Sequence, residues 1–461
     1  MNRVTSRTWL MAVFILVLMT GMLFFLGEYW MDADRWVSSP GSPHVYSSRN
    51  LGVGTVTDRS GTLLLDMSSQ RQYADSKLTR KSTLHWLGDR EGKISAGAIS
   101  NYAGAMVGFD RINGIYNMED AGGVTELTVS ARVQNAALEA LNGRKGTVAV
   151  YNYKTGEILC AVTSPTFDPN NVPDIAGDTS GTWEGVYLNR FTQVAYVPGS
   201  IYKVVTTAAA LEAVPGIQDM RFQCTGKVEY GGGENVATVT CEKIHGELTL
   251  KSALANSCNC AFAQIAQLIG REKMTEAVER LQVTQSVKFD GITTARGNYS
   301  IAGAGSASFA WSCIGQHTDT VNPARFMTFM GAIAGGGQAA NPYIVSRVTS
   351  GNDVTYQART EKTDRIMSQE LAATLKEYLR GNVKDIYGDW KFPSIQVCGK
   401  SGTSQVGGGE VSNALFAGFA ADPEYPLAFV CVVENGGYGA TTCIPILSKV
   451  LSECKAVMAG K

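Results

Sequence analysis

Residues 198–205 read PGSIYKVV. Pro198 and Gly199 interrupt the preceding structure, and from Ser200 the run SIYKVVTTAAALEAV keeps helix-compatible spacing until Pro215. The spacing predicts Ser200 at a helix N-terminus, where unpaired N–H groups and the positive dipole end favour developing negative charge. Lys203 follows at i+3, on the same face. A serine hydroxyl is a weak nucleophile until a neighbour takes its proton. A lysine does this when desolvation or nearby cations hold its pKa down. Taken alone, S-x-x-K is common and far more often marks an N-cap serine followed by a surface lysine.

Two further segments change that balance. NSCNCAF at 256–262 supplies Ser257-Cys258-Asn259, an S-x-N pattern. Its hydroxyl suits proton relay to a leaving group, and its amide suits a substrate carbonyl. CGKSGTSQ at 398–405 supplies Lys400, Ser401, Gly402 and Thr403, then leads through a glycine-rich loop into the apolar run NALFAGFAA. Lys400 offers a fixed cation there. Gly402 lets a peptide-like substrate lie near the strand backbone, and the Ser401 and Thr403 hydroxyls suit a carboxylate. The order S-x-x-K, S-x-N, K-S-G along one chain is far more specific than any one motif.

The surrounding chain reads as an α/β domain. TELTVSARVQNAALEALNG (125–143) predicts a short strand and a helix closed by Asn142-Gly143. GTVAVYNYKTGEILCAVTSP (146–165) predicts a hairpin turning at 154–156. Near the C-terminus, NALFAGFAA and PLAFVCVVENGG read as strands, and TTCIPILSKVLSECKAVM as a terminal helix. Strands from both ends with helices between them imply one mixed sheet with helices packed on it, and a mostly helical stretch from Ser200 to about Arg380.

Trp9 to Leu26 carry no charge and are long enough to cross a bilayer. Arg3 and Arg7 precede this run, and Glu28, Asp32 and Asp34 follow it. The expectation is an uncleaved anchor with the N-terminus cytoplasmic and the rest of the chain outside. Residues 28–123 read as polar and helix-poor, with a hairpin signal in VGTVTDRSGTLLLD (53–66). The formal net charge of −1 gives no footprint for nucleic acid.

The chain has ten cysteines, all beyond the anchor, which permits disulfides. Cys224 and Cys241 flank a glycine-turned hairpin, so a bridge across its base is one reading. Cys258 and Cys260 are too close for a C-x-x-C zinc knuckle, and His44, His85, His245 and His317 form no ligand pattern with them. They read as small buried hydrophobes, and His245 as a hydrogen-bonded structural histidine. No metal or cofactor is expected.

With these motifs in view, the sequence resembles the class B penicillin-binding proteins. The resemblance covers nearly all of the chain. It extends to KTGEILCAVTSPTFDPN (154–170), LNRFTQVAYVPGSIYK (188–203), SCIGQHTDTVNPARFM (312–327), FAGFAADPEYPLAFVCVVENGG (416–437) and the early GTVTDRSGTLL (54–64). It implies the penicillin-binding and serine β-lactamase-like fold, a mixed antiparallel sheet flanked by helices with an all-helical subdomain. The implied organisation is a tail at 1–8, an anchor at 9–27, a β-rich non-catalytic pedestal at 28–123, and a transpeptidase domain at 124–461. No glycosyltransferase domain fits between anchor and Thr125.

The resemblance further implies a D,D-transpeptidase that cross-links peptidoglycan stem peptides and is acylated by β-lactams. Ser200 would be the nucleophile, Lys203 its proton acceptor, Ser257 the proton shuttle and Lys400 the polarising cation. Asn259, Ser401, Gly402 and Thr403 would hold substrate, with the N–H groups of Ser200 and Thr403 as oxyanion hole. K-S-G-T replaces the commoner K-T-G-T and keeps a hydroxyl. A polytopic lipid II polymerase of the SEDS type is the implied partner, met by the anchor and pedestal. A D,D-carboxypeptidase, a serine β-lactamase and a non-enzymatic sensor or scaffold are the alternatives. For the β-lactamase, Glu184 precedes the nucleophile, whereas a water-activating Glu follows the S-x-N element.

Overall fold

Gly146–Asn152 and Ile158–Ser164 form the expected antiparallel hairpin. The computed structural model describes residues 2–39, 42, 45–47, 50–68, 70–116, 122–231, 236–301, 305–405 and 411–460. Leu427–Val433 pairs with Gly146–Asn152, so the end of the chain lies beside this hairpin. Asn413–Ala420 comes next and Val397–Ser404 closes the sheet as an edge strand. All four pairings are antiparallel.

Four of these strands are buried at every residue. That explains their near-continuous apolar sequence, because helices cover both faces. Side chains alternate between the faces. Val148, Val150, Phe416 and Phe429 pack with Val133 and Leu141 of the Ala131–Leu141 helix and with Leu447 and Val450 of the Gly439–Met458 helix. Ala149, Tyr151, Ala417 and Val430 face a second core that holds Phe326 and Met330 of the Pro323–Ala334 helix. The Ala131–Leu141 helix starts as its sequence predicts, with the Ser130 side chain accepting from Val133 N, and ends at Asn142 in the left-handed region.

A second sheet draws on distant parts of the chain. Its order is Asp353–Gln357, Val345–Ser350, Val124–Leu127, Thr55–Thr57, Leu63–Asp66, Gln72–Tyr73. Thr55–Thr57 runs parallel to Val124–Leu127, while the other four pairings are antiparallel. The line expected between residues 123 and 124 therefore falls inside one sheet, and apolar residues from Val56 to Met106 share a core with the rest of the chain. Asp58 ties the regions together: Oδ1 accepts from Ser60 N and Thr62 N to close the expected 53–66 hairpin, and Oδ2 accepts from Ala131 N. Lys77–Leu87 is a helix that the sequence reading passed over as polar; Trp86 anchors it by donating Nε1–H to the Ala161 carbonyl.

The N-terminal helix spans Asn2–Val37, longer than the apolar run within it. Within Arg7–Ala33 lies a stretch apolar and long enough to cross a membrane, and none of that window is buried. Past the apolar run the helix docks on the folded part, where Ala33 is fully buried and Tyr29 donates its hydroxyl to the Arg111 carbonyl at 2.8 Å.

Phe416 is fully buried among Tyr387, Phe392 and Phe429. Phe416→Ala is expected to lower stability by about 3–5 kcal/mol in denaturant titration. A loss under about 1 kcal/mol would show that this layer does not hold the sheet.

Candidate active site

Ser200 sits in a 3₁₀ turn, Gly199–Tyr202, that leads directly into the Lys203–Ala213 helix. Gly199 has φ +55°, and a Cβ there would meet the Thr403 carbonyl oxygen at 2.5 Å. Only glycine lets this turn lie against the edge strand. Gly402 serves the same approach from the other side: a Cβ there would stand 2.8 Å from the Pro198 oxygen and 3.1 Å from Ile201 N. The room at Gly402, expected to admit substrate, is therefore taken by the 198–201 segment.

Lys203 is fully buried. Its Nζ lies 2.9 Å from Ser200 Oγ, 3.2 Å from Ser257 Oγ, 2.8 Å from the Ser257 carbonyl and 2.7 Å from Asn259 Oδ1. Burial, then repulsion from Lys400, brings its pKa down to about 7. Lys400 is also fully buried. Its Nζ lies 3.1 Å from Ser257 Oγ, 2.8 Å from the Ser401 carbonyl and 3.3 Å from the Tyr387 hydroxyl. Burial brings this lysine too down to about 7. Both shifts share one physical cause, the cost of holding an ammonium away from water.

Ser257 stands between the two amines with φ +54°, a left-handed conformation uncommon outside glycine. It lies between one short helix, Leu250–Ala255, capped by Asn256, and the next, Asn259–Ile269, capped by Cys258. Asn259 donates from Nδ2 to the Thr240 carbonyl at 2.9 Å, which ties the S-x-N turn to the hairpin strand Ala237–Thr240. Ser401 and Thr403 alternate with Lys400 and Gly402 along Val397–Ser404, and both line the cleft.

Every sequence-predicted site residue thus falls in one neighbourhood. Ser200, Ser257, Asn259, Ser401 and Thr403 line a cleft of about 700 Å³, and the two lysines and Gly402 lie in its wall. The glycine-rich loop expected after Thr403 falls largely outside the described residues, at 406–410. Glu184 lies on the surface, paired with Lys145 at 2.8 Å. Trp311, Tyr387 and Tyr438 also line the cleft.

Tyr387 escaped the sequence reading. It ends a π-helical turn, Asn382–Tyr387, that closes the Gln369–Gly381 helix. Its oxygen accepts from Lys400 Nζ and from Ser401 N at 3.1 Å, so its proton goes to Ser401 Oγ at 2.9 Å. Ser401 then has its own proton free to donate into the cleft. No local signal in DIYGDW points to this role, since it arises from packing against a strand more than ten residues on.

The cysteines also differ from expectation. All ten are free thiols. Cys224 and Cys241 do not bridge; they converge with Cys258 and His245, the four ligand atoms lying within 4.8 Å of one another. His245 Nδ1 stands 3.5 Å from the sulfurs of both Cys224 and Cys241. A ligand pattern spread over a hairpin and a helix start was not visible as a local spacing.

Residues 146–452 match the model of the penicillin binding protein transpeptidase domain. The peptidoglycan D,D-transpeptidase PbpA of Mycolicibacterium smegmatis is 28% identical over 341 residues, covering 68% of each chain. Stage V sporulation protein D of Bacillus subtilis is 27% identical over 435 residues, covering 88% of this chain and 62% of that protein. Among solved structures, penicillin-binding protein A from M. tuberculosis, as its imipenem acyl-enzyme complex, superimposes with a TM-score of 0.73 at 23% identity, over 87% of this chain and 98% of that one. The D,D-transpeptidase domain of a peptidoglycan glycosyltransferase from Eggerthella lenta gives 0.71 at 23% identity, over 88% and 99%. These structural likenesses establish the fold, and the family match spans two thirds of the chain. The protein belongs to the penicillin-binding protein transpeptidase family.

Proposed function

We propose that this chain is a membrane-anchored serine D,D-transpeptidase that cross-links peptidoglycan stem peptides and is acylated by β-lactams. One observation carries the reading: two buried lysines flank the hydroxyl of Ser257, and one of them lies 2.9 Å from Ser200 Oγ. In its neutral form Lys203 takes the Ser200 proton as Oγ attacks the carbonyl of the penultimate D-alanine. The N–H groups of Ser200 and Thr403 hold the oxyanion. Lys203 returns that proton through the Ser257 hydroxyl, which gives its own to the departing D-alanine amine and is reprotonated by Lys203, with Lys400 beside it. An acceptor amine then enters by the reverse steps and takes the acyl group. The terminal carboxylate of the donor, or that of a β-lactam, meets the Ser401 and Thr403 hydroxyls beside charged Lys400.

The relatives' names support the substrate class: they are peptidoglycan D,D-transpeptidases, and the M. tuberculosis protein was solved as a β-lactam acyl-enzyme. The apolar helix supports a membrane anchor with the N-terminus cytoplasmic, following the charges that flank it. Residues 28–123 serve as a non-catalytic region that shares a sheet and a core with residues 124–461. A polytopic lipid II polymerase is the partner we propose for the anchor and pedestal. Co-purification that survives removal of residues 1–37 would exclude the anchor as the contact.

Mass spectrometry after benzylpenicillin treatment is expected to show a long-lived adduct on the wild type and none on Ser200→Ala. Lys203→Ala should slow acylation by about 10²–10⁴-fold. An adduct on Ser200→Ala would overturn the assignment. Incubation of a stem-peptide mimic with a D-amino acid should give the exchanged peptide; hydrolysis alone would favour a carboxypeptidase.

The pH dependence has a definite sign. A lysine brought down to about 7 is charged below that value and neutral above it. Lys203 must be neutral to accept a proton, so acylation rises as pH passes up through about 7. Lys400 must be charged to meet a carboxylate, so the rate falls again as it is neutralised. A bell-shaped profile near neutrality is expected, with macroscopic values belonging to the pair. A flat profile from about pH 5.5 to about pH 8 would contradict it.

Tyr387→Phe removes the proton that orients Ser401. Acylation by a carboxylate-bearing β-lactam should fall about tenfold, a net hydrogen bond of about 1 kcal/mol or slightly more. The double variant Tyr387→Phe/Ser401→Ala should lose less than the sum of the two single losses, the remainder belonging to the Tyr387–Lys400 contact; full additivity would show that Tyr387 acts independently of Ser401.

A further inference from the structure

We propose that Cys224, Cys241, Cys258 and His245 form a zinc site that braces the S-x-N turn. The donor set is three thiols and one imidazole, the chemistry of a closed structural zinc centre. Three of the six donor separations match, and all six are within 4.8 Å. A tetrahedral ion with Zn–S of about 2.3 Å and Zn–N of about 2.05 Å separates two sulfurs by about 3.8 Å, and sulfur from nitrogen by about 3.6 Å. Cys241 Sγ and Cys258 Sγ are 3.8 Å apart, and His245 Nδ1 is 3.5 Å from Cys224 Sγ and from Cys241 Sγ. A disulfide needs sulfurs about 2.05 Å apart, and it would use two of these thiols while leaving the histidine without purpose.

The four donors come from three places. Cys224 ends the strand Phe222–Cys224, Cys241 and His245 follow the strand Ala237–Thr240, and Cys258 caps the Asn259–Ile269 helix. Cys258 Sγ also accepts from Ala261 N at 3.4 Å, a helix-terminal N–H that favours a thiolate. Cys224 and Cys258 are buried, while Cys241 and His245 are half-buried and line the cleft wall. Binding releases the thiol protons to solvent and closes a loop from residue 224 to residue 258.

The position of Cys258 gives the site its consequence. This residue lies between Ser257 and Asn259, the two S-x-N side chains that meet Lys203. Ser257 is held at φ +54°, which surrounding structure must enforce. Asn259 reaches the hairpin through Nδ2, which donates to the carbonyl of the residue before Cys241, and through its backbone N–H, which donates to the Cys241 sulfur. A metal joining Cys241 to Cys258 fixes that same joint covalently enough to hold both side chains in register. The ion touches no reacting atom. It is a positioning element, and loss of such support typically costs about 10–100-fold in activity.

The test uses the full chain purified without added metal and without reductant. Elemental analysis after gel filtration should give about one zinc per chain, and reconstitution of chelator-treated protein with Co²⁺ should give the visible bands of tetrahedral thiolate coordination. Cys241→Ala should lose the metal and acylate with benzylpenicillin about tenfold or more slowly. Cys241→Asp, which keeps an anionic ligand, should recover part of both. Metal-free protein whose mass shows a disulfide within this cluster would overturn the proposal, as would zinc retained when all four residues are replaced. Zinc that leaves with Cys241→Ala while acylation is unchanged would overturn the bracing role.

Discussion

One hydroxyl, that of Ser257, lies within hydrogen-bond reach of two amines that water does not touch. Two ammonium groups cannot both remain charged at that separation in a dry site without great cost. The site therefore holds a shared shortage of protons near neutrality. In the proposed mechanism, that shortage leaves one lysine a base while the other remains a cation. The surroundings exist to keep the pair buried and apart: backbone carbonyls of Ser257 and Ser401, the Asn259 amide and the Tyr387 phenol supply the acceptors that such burial demands.

The sheet supplies the rigidity. Val397–Ser404 is pinned by eight register pairs to Asn413–Ala420, so Lys400 cannot drift along the strand. The 199–202 turn is pressed against that edge through two glycines, which sets the height of Ser200 over the strand. Chemistry that needs reacting atoms placed to a fraction of an ångström is thereby hung on regular structure and not on a free loop.

Much of this was legible beforehand. The S-x-x-K spacing fixes its own geometry, because i and i+3 share a face once the turn is helical. The 146–165 hairpin and the 427–433 strand announced themselves as apolar runs broken by Lys154-Thr155-Gly156 and Asp422-Pro423-Glu424. What stayed hidden depends on distant partners. Thr55–Thr57 and Val124–Leu127 pair in parallel across intervening chain, and nothing in either short segment names the other. Tyr387 gains its role only where a π-helical turn meets an edge strand. The cysteines looked inert because C-x-C spacing is wrong for a knuckle, yet the segments flanking the hairpin bring three more donors, Cys224, Cys241 and His245, to Cys258.

The docked N-terminal helix has a mechanical meaning. It runs without a break through 36 residues, about 54 Å at 1.5 Å per residue. Its far end is locked by Tyr29 and the buried Ala33. A head carried on a slack tether would sample a hemisphere; this one must lean when its stalk leans. In the proposed membrane-anchored arrangement, the helix would carry the head as a stiff stalk rather than on a slack tether.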